Sequence, residues 1–197
     1  MDITIRHITN ERKLDAALAL EAEVFGHLSE DNSPAYARAR WVERMERHGA
    51  LMLYAEAGGA VVGIVFGRVE DGGVTVGPVA VAAERRGQGV GRALMLALEE
   101  RARAQGVGLL TLGSVESAEG FYAGLGYTGS LLIQSERHGV DELLALNPGY
   151  PERFTNVYGG AVHKLCLELP APDRVLQRRY ERELPGCRTQ MLFQKWI

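Results

Sequence analysis

Apolar residues in this chain fall into alternating and helically spaced runs, broken by glycine and proline, and the runs predict an order of elements. Residues 2–7 set Ile3 and Ile5 between polar neighbours, the period-two pattern of a strand. Thr9 or Asn10 then caps a helix to about Phe25 that carries Leu14, Ala17, Leu18 and Ala22 on one face. Residues 26–32 are polar and turn-like. Ser33-Pro34 pairs a cap with proline at the first helical position and opens a second helix, in which Trp41 and Met45 lie four apart. Residues 51–57, 60–70 and 74–81 read as three strands joined into two hairpins by Gly58-Gly59 and Asp71-Gly72-Gly73. Pro78 cannot donate to a ladder, so it marks a bulge or an interrupted edge.

Beyond residue 81 the chain turns through a glycine-dense loop and becomes helical. A helix over 89–104 places Val90, Ala93, Leu94, Ala97 and Leu98 at core spacing, with Glu99 and Arg103 as an exposed ion pair, and Gly106 ends it. A strand follows at 108–113. In the tail, 161–169 (AVHKLCLEL) and 188–197 (RTQMLFQKWI) both read as strands and compete for the second arm of a last hairpin. Between them 173–184 carries Val175, Leu176, Tyr180 and Leu184 at helical spacing. Residues 147–160, rich in Gly, Pro and aromatics, read as an ordered loop that closes over a pocket or joins a dimer contact. The tail is therefore strand, helix, strand, finishing the sheet or forming a small appended unit. Met191, Phe193, Trp196 and Ile197 fit either a homodimer interface or an ordinary sheet core.

Composition narrows the classes. With 197 residues, 46% apolar and 24% charged, the chain has ordinary globular composition and enough apolar content for a core. A net charge of -3 and a pI near 6.0 argue against nucleic acid or an anionic membrane surface as partner. No apolar run approaches the roughly 18 residues of a membrane span, and no signal-peptide pattern opens the sequence. Cys166 and Cys187 lack CxxC spacing and fit reduced thiols, hence a cytoplasmic setting. His7, His27, His48, His138 and His163 form no HxxxH pair, so no metal is expected.

The chemistry concentrates where the run Val79-Ala80-Val81 passes through Glu84-Arg85-Arg86 into Gly87-Gln88-Gly89-Val90-Gly91-Arg92. Alternate glycines let a ligand reach the main chain, and the N–H groups opening the following helix lack internal partners and attract anions. Arg85, Arg86 and Arg92 add charge. The stretch reads as a phosphate cradle built mostly of backbone. It is neither a Walker loop, since no Gly-Lys pair occurs, nor a GxGxxG dinucleotide turn.

What fits is R-x-x-G-x-G at Arg86 to Gly91, after a strand and before an amphipathic helix, followed by Phe121-Tyr122-Ala123-Gly124-Leu125-Gly126-Tyr127. Together these resemble the two signatures of the GNAT superfamily of acyl-CoA N-acyltransferases, the second usually FYxxxGF and here ending in tyrosine. The resemblance covers the chain to about residue 134. It implies an α/β fold with a mixed central sheet of about seven strands, a core at 1–134 and an extension at 135–197. It further implies that the amides of residues 86–92 hold the pyrophosphate of acetyl-CoA, that Val79, Ala80 and Val81 bind the pantetheine arm, and that a splayed strand pair takes the acyl arm.

Acyl transfer to an amine also needs an acid for the leaving thiolate and a base for the ammonium. By the resemblance Tyr122 points at the sulfur, and a phenol of pKa near 10 can protonate a thiolate whose acid is near 8.5. Glu116, just past the strand at 108–113, is the candidate base; Glu119, Glu21 and Glu23 compete with it, as does an ordered water. Glu30 and Asp31 join them on the acceptor side. Ser114 is a weaker cleft candidate, and Cys166 has no histidine partner that would make it a nucleophile. The expected activity is direct transfer, in a ternary complex, from acetyl-CoA to a primary amine of a small molecule or protein. Two rival readings are an acyl-CoA-binding sensor or partner-binding module without turnover, and a nucleotide-binding protein.

Overall fold

The alternating and helical runs become nine strands and six α-helices among the described residues, 3–26, 34–70 and 72–197, in a computed structural model of the chain. Residue 2 of the first strand reading, residues 27–32 of the turn reading with His27, Glu30 and Asp31, and Ser33 and Asp71 lie outside the described residues. The chain divides into two units, Met1–Leu110 with Trp196–Ile197, and Thr111–Lys195.

In the first unit β1 (Thr4–His7), β2 (Met52–Ala57), β3 (Ala60–Glu70), β4 (Gly73–Val81) and the start of β5 (Leu109–Gly113) follow one another in sheet order. The first three neighbouring pairs are antiparallel, so both expected hairpins form. Gly58 and Gly59 turn the first of them at φ 57° and 82°, the left-handed pair that a two-residue hairpin loop requires. Between β3 and β4 the register slips: Val65 faces Val79 but Gly67 faces Val76. Two residues, Gly77 and Pro78, thus oppose Phe66 alone. The bulge falls where the proline has no N–H to give.

The helix α1 (Glu11–Phe25) starts at Asn10, whose side chain accepts from the Lys13 N–H at 3.0 Å. It buries Leu14, Ala17 and Leu20 against Met52, Tyr54, Ile64 and Phe66, and α2 (Pro34–His48) adds Trp41, Val42 and Met45. Trp41 meets Phe66 edge-on at 5.2 Å. The alternate residues of β3 face α3 (Val90–Ala104). A Cβ on Gly63 would stand 2.8 Å from Val90 Cγ1 and 2.9 Å from Leu94 Cδ1, and one on Gly67 3.1 Å from Leu98 Cδ1. Those absent side chains let α3 lie close on the strand that pairs with β4. At its far end the Val107 N–H donates to Ala102 and the Gly106 N–H to Arg103, with Gly106 at φ 74°, a glycine-dependent stop.

Glu99 is buried at 1% exposure and lies 3.9 Å from Arg103, so the two do not form an exposed pair. Helical spacing gave the right neighbours and the wrong face: Met95 and Ala102, with Glu99 beside them, turn inward, while Ala93 and Ala97 are half-buried.

In the second unit the remainder of β5 is followed in sheet order by β9 (Arg188–Trp196), β6 (Thr128–Ser135), β8 (Val162–Leu169) and β7 (Glu152–Tyr158). The competition between the two tail segments ends in both pairing with β6. Leu131 faces Leu167 of β8 on one side and Met191 of β9 on the other, each antiparallel. Helices α4 (Glu119–Ala123), α5 (Val140–Ala145) and α6 (Arg174–Glu183) connect them. Within α6, Leu176 and Tyr180 are buried while Val175 is exposed. Met191 and Phe193 of β9 are core residues, and Trp196 is exposed.

The loop expected at 147–160 is not one, because Glu152–Tyr158 forms β7, paired with β8 from Glu152↔Leu167 to Tyr158↔Val162. Its glycines and prolines lie in the flanking turns, and Phe154, Thr155, Val157 and Tyr158 between them are strand formers. With this strand and α5 the tail runs helix, strand, strand, helix, strand, and the sheet has nine strands rather than about seven.

Candidate functional site

The cradle forms in the first unit between β4 and α3. Val79, Ala80 and Val81 pair with Val65, Ile64 and Gly63, which fixes the strand that delivers the loop. After a short turn at Ala83–Arg85 the chain passes Arg86, Gly87, Gln88 and Gly89 before helix begins at Val90. Gly87 and Gly89 sit at φ 71° and 81°, and a Cβ at either would meet nothing within 4 Å. The glycines are there for conformation and approach, not for packing against protein. Gly91 already lies inside α3.

Two side chains brace the loop. Arg86 Nε donates to the Val81 carbonyl at 3.1 Å, and Gln88 Nε2 donates to the Glu84 carbonyl at 2.8 Å. Arg86 keeps its terminal guanidinium nitrogens outside that bond. Gly89 is the N-cap of α3 and supplies no side-chain hydrogen bond. The opening amides of a fifteen-residue helix therefore carry its positive dipole end toward an exposed loop with no protein acceptor in the cap. With Arg92 exposed on the first turn, this suits a phosphate-bearing ligand. Residues 86–92 fit the diphosphate of coenzyme A on these grounds.

The second unit carries the expected acid. Tyr122, on α4, is 7% exposed, its ring 5.1 Å from Phe121, 6.0 Å from Tyr127 and 5.9 Å from Phe193. Burial pushes its hydroxyl up to about 12, so the phenol stays protonated.

The carboxylates differ sharply. Glu119, one helical turn before Tyr122, is 8% exposed and ion-paired with the Arg174 guanidinium of α6. That pair occupies the carboxylate. Arg174 also donates to Gln177, and its Nε is 3.9 Å from Glu116. Glu116 itself is exposed. The sequence contains no signal for Arg174: nothing in the spacing of 119 and 174 marks them as neighbours, and only the folding of α6 against α4 unites them. In the first unit Glu21 is half-buried and desolvation raises its carboxyl, whereas Glu23 is exposed. Ser114 turns its hydroxyl to the Val115 carbonyl at 2.9 Å. Cys166 is buried in β8, and burial raises its thiol, which does not favour a nucleophile.

Among the described residues no three His, Cys, Asp or Glu side chains gather as metal ligands, and no helix is long and apolar enough to cross a membrane.

The family described as "Acetyltransferase (GNAT) domain" matches residues 20–141. No curated protein matches the sequence. The chain is similar in fold to PaiA N-acetyltransferase of Thermoplasma acidophilum in complex with coenzyme A, at 14% identity and a TM-score of 0.56 over 86% of this chain and 100% of that one. It is likewise similar to the ribosomal-protein-S18-alanine N-acetyltransferase of Escherichia coli, at 19% identity and 0.56 over 87% and 96%. It is also similar to a ribosomal-protein-alanine N-acetyltransferase of Brucella melitensis, at 22% identity and 0.54 over 98% and 99%.

Proposed function

The chain belongs to the GNAT acetyltransferase family, and from that membership we propose that it is an acetyl-CoA-dependent N-acetyltransferase acting on a primary amine. The single observation that carries the proposal is the uncapped start of α3: left-handed Gly89, no side chain in the cap, and open space at Gly87 and Gly89 where any other residue would project.

When bound, acetyl-CoA supplies an acetyl group already activated as a thioester. The amides of Gly87, Gln88, Gly89, Val90 and Gly91 receive the diphosphate, with Arg86 and Arg92 adding charge. The main chain of Val79, Ala80 and Val81 lies along the pantetheine arm. Tyr122, held neutral by burial, donates to the departing sulfur and recovers the proton that the acylated nitrogen sheds as the C–S bond breaks, so the phenol ends the step protonated. Glu116, directly or through a water, takes the proton that the ammonium must lose before it attacks. Glu21 is a second candidate for that base, on the specific ground that desolvation makes its carboxylate more basic. Arg174, by engaging Glu119, steadies the helix on which Tyr122 stands.

The acceptor is a primary amine of a small molecule or of a protein, in the cytoplasm. The free thiols of Cys166 and Cys187 are consistent with that setting.

The test pairs a calorimetric titration of coenzyme A with a thiol-release assay over a panel of amines, polyamines and peptides with free N-termini. Coenzyme A binding with release of thiol dependent on one amine class supports the enzyme. Binding with no turnover across the panel replaces it with a non-catalytic acyl-CoA-binding module, and stabilisation by ATP-Mg alone replaces both.

A further inference from the structure

The second unit contains a cleft of about 610 Å³ that no step above uses. It opens where β6, β8 and β9 present their ends, and its walls include Arg137, Tyr158, Val162, Lys164 and Arg188. Three cations face one acid, Glu136, and that acid is spent on Arg188 at 3.3 Å. The chain as a whole carries a net charge of -3, so this concentration of positive charge runs against its background.

The geometry is prepared in advance. Ser135 Oγ, buried at 2% exposure, accepts the N–H groups of Arg137 at 3.1 Å and His138 at 3.0 Å, fixing the turn after β6. His138 reaches 3.3 Å to the Pro185 carbonyl, which ties that turn to the one before β9. Arg137 then lies across Gly186: a Cβ there would stand 3.0 Å from Arg137 Cδ and 3.4 Å from Nε. Gly186 is also at φ 99°, so the position excludes other residues twice over. No carboxylate pairs with Arg137 among the ion pairs of the described residues. Lys164 Nζ is held 4.4 Å over the Tyr158 ring.

We propose that this cleft binds a small organic anion, a phosphate or carboxylate on a planar apolar body. Arg137 offers a guanidinium fork suited to two oxygens of one oxyanion, and Lys164 adds a point charge beside it. Tyr158 and Val162 supply apolar surface for the body. The volume falls within the roughly 300–1,000 Å³ usual for small-molecule sites. This site is independent of the acetyl-transfer reading and stands or falls without it.

The test is calorimetry on the full chain with phenyl phosphate, benzoate, inorganic phosphate and, as the uncharged control, benzyl alcohol. Phenyl phosphate or benzoate binds with Kd below about 1 mM, benzyl alcohol does not, and whichever anion binds tighter identifies the headgroup. Arg137→Ala and Lys164→Ala each weaken that binding about tenfold, and Arg137→Lys falls between, while the thermal melt of each variant stays at the parent value. Absence of heat from both aromatic anions overturns the proposal. So does native affinity in the Arg137→Ala/Lys164→Ala double variant, which would put the anion elsewhere.

Discussion

Arg174, at the first turn of α6, closes on the Glu119 carboxylate at the first turn of α4, the short helix that carries Tyr122. The pair joins the tail of the second unit to the proposed acid. Glu119 is 8% exposed, so removing its partner leaves a carboxylate with little water to replace the guanidinium.

Arg174→Ala is therefore expected to destabilise the second unit by about 3 kcal/mol, the lower end for an orphaned buried ion. Urea unfolding measures it. Arg174→Met with Glu119→Leu removes both charges and should recover most of the loss. Equal destabilisation in the single and double variants would show that the ion pair is not the cause.

Tyr122→Phe keeps the ring among Phe121, Tyr127 and Phe193 and removes only the hydroxyl. If the hydroxyl is the acid, kcat falls by about 10²-fold, with an unchanged melting temperature and unchanged affinity for coenzyme A. A variant as active as the parent would make Tyr122 a packing residue.

The same burial has an alkaline signature. Tyr122 and Tyr180 are both pushed to about 12 by desolvation, above the unfolded value of about 10. Because the folded pKa is the higher one, their contribution is intact below about pH 10 and is lost as pH rises toward about 12, up to about 3 kcal/mol for each. Absorbance titration of the phenolate should show a late phase that shrinks in Tyr122→Phe and again in Tyr180→Phe, coincident with loss of structure. A phenolate rise complete by about pH 10.5 would contradict the burial.

The two candidate bases separate by pH. Glu21 has its carboxyl raised by desolvation, so an enzyme that uses it gains activity as pH climbs through that raised value. Glu21→Gln would abolish this limb, and Glu116→Gln would leave it. The opposite pattern assigns the base to Glu116.

Much of this could be read from the chain, for physical reasons. The hairpins at β2–β3–β4 announced themselves because glycine pairs separate apolar runs, and Pro78 marked its bulge because it lacks an N–H. The loop at 86–89 was visible because glycines at positive φ, here Gly87 and Gly89, have few substitutes. The rest was hidden by what one-dimensional patterns omit. β7 is exposed along most of its length, so it shows no alternation of apolar and polar residues. Glu99 gave no sign of turning inward, since a charged residue at helical spacing looks the same on either face. Arg174 and the cleft around Arg137 arise from residues far apart in sequence, which no local motif brings together.

Packing beneath the loop is also testable. Gly63→Ala would set a Cβ 2.8 Å from Val90 and 2.9 Å from Leu94 and push α3 off its strand. About 1–3 kcal/mol should be lost by thermal unfolding. Gly89→Ala meets no atom but must adopt φ 81°, costing about 1–2 kcal/mol. An unchanged melting temperature in Gly63→Ala would mean that α3 does not lie so close.

The claim on which the function rests is that bare main-chain N–H groups take up the diphosphate. Backbone amide resonances followed during titration with coenzyme A report on it directly. The resonances of Gly87, Gly89 and Gly91 are expected to shift first and most, saturating together with the calorimetric isotherm. If those three resonances stay still while coenzyme A binds, the loop is not the cradle and the account is wrong.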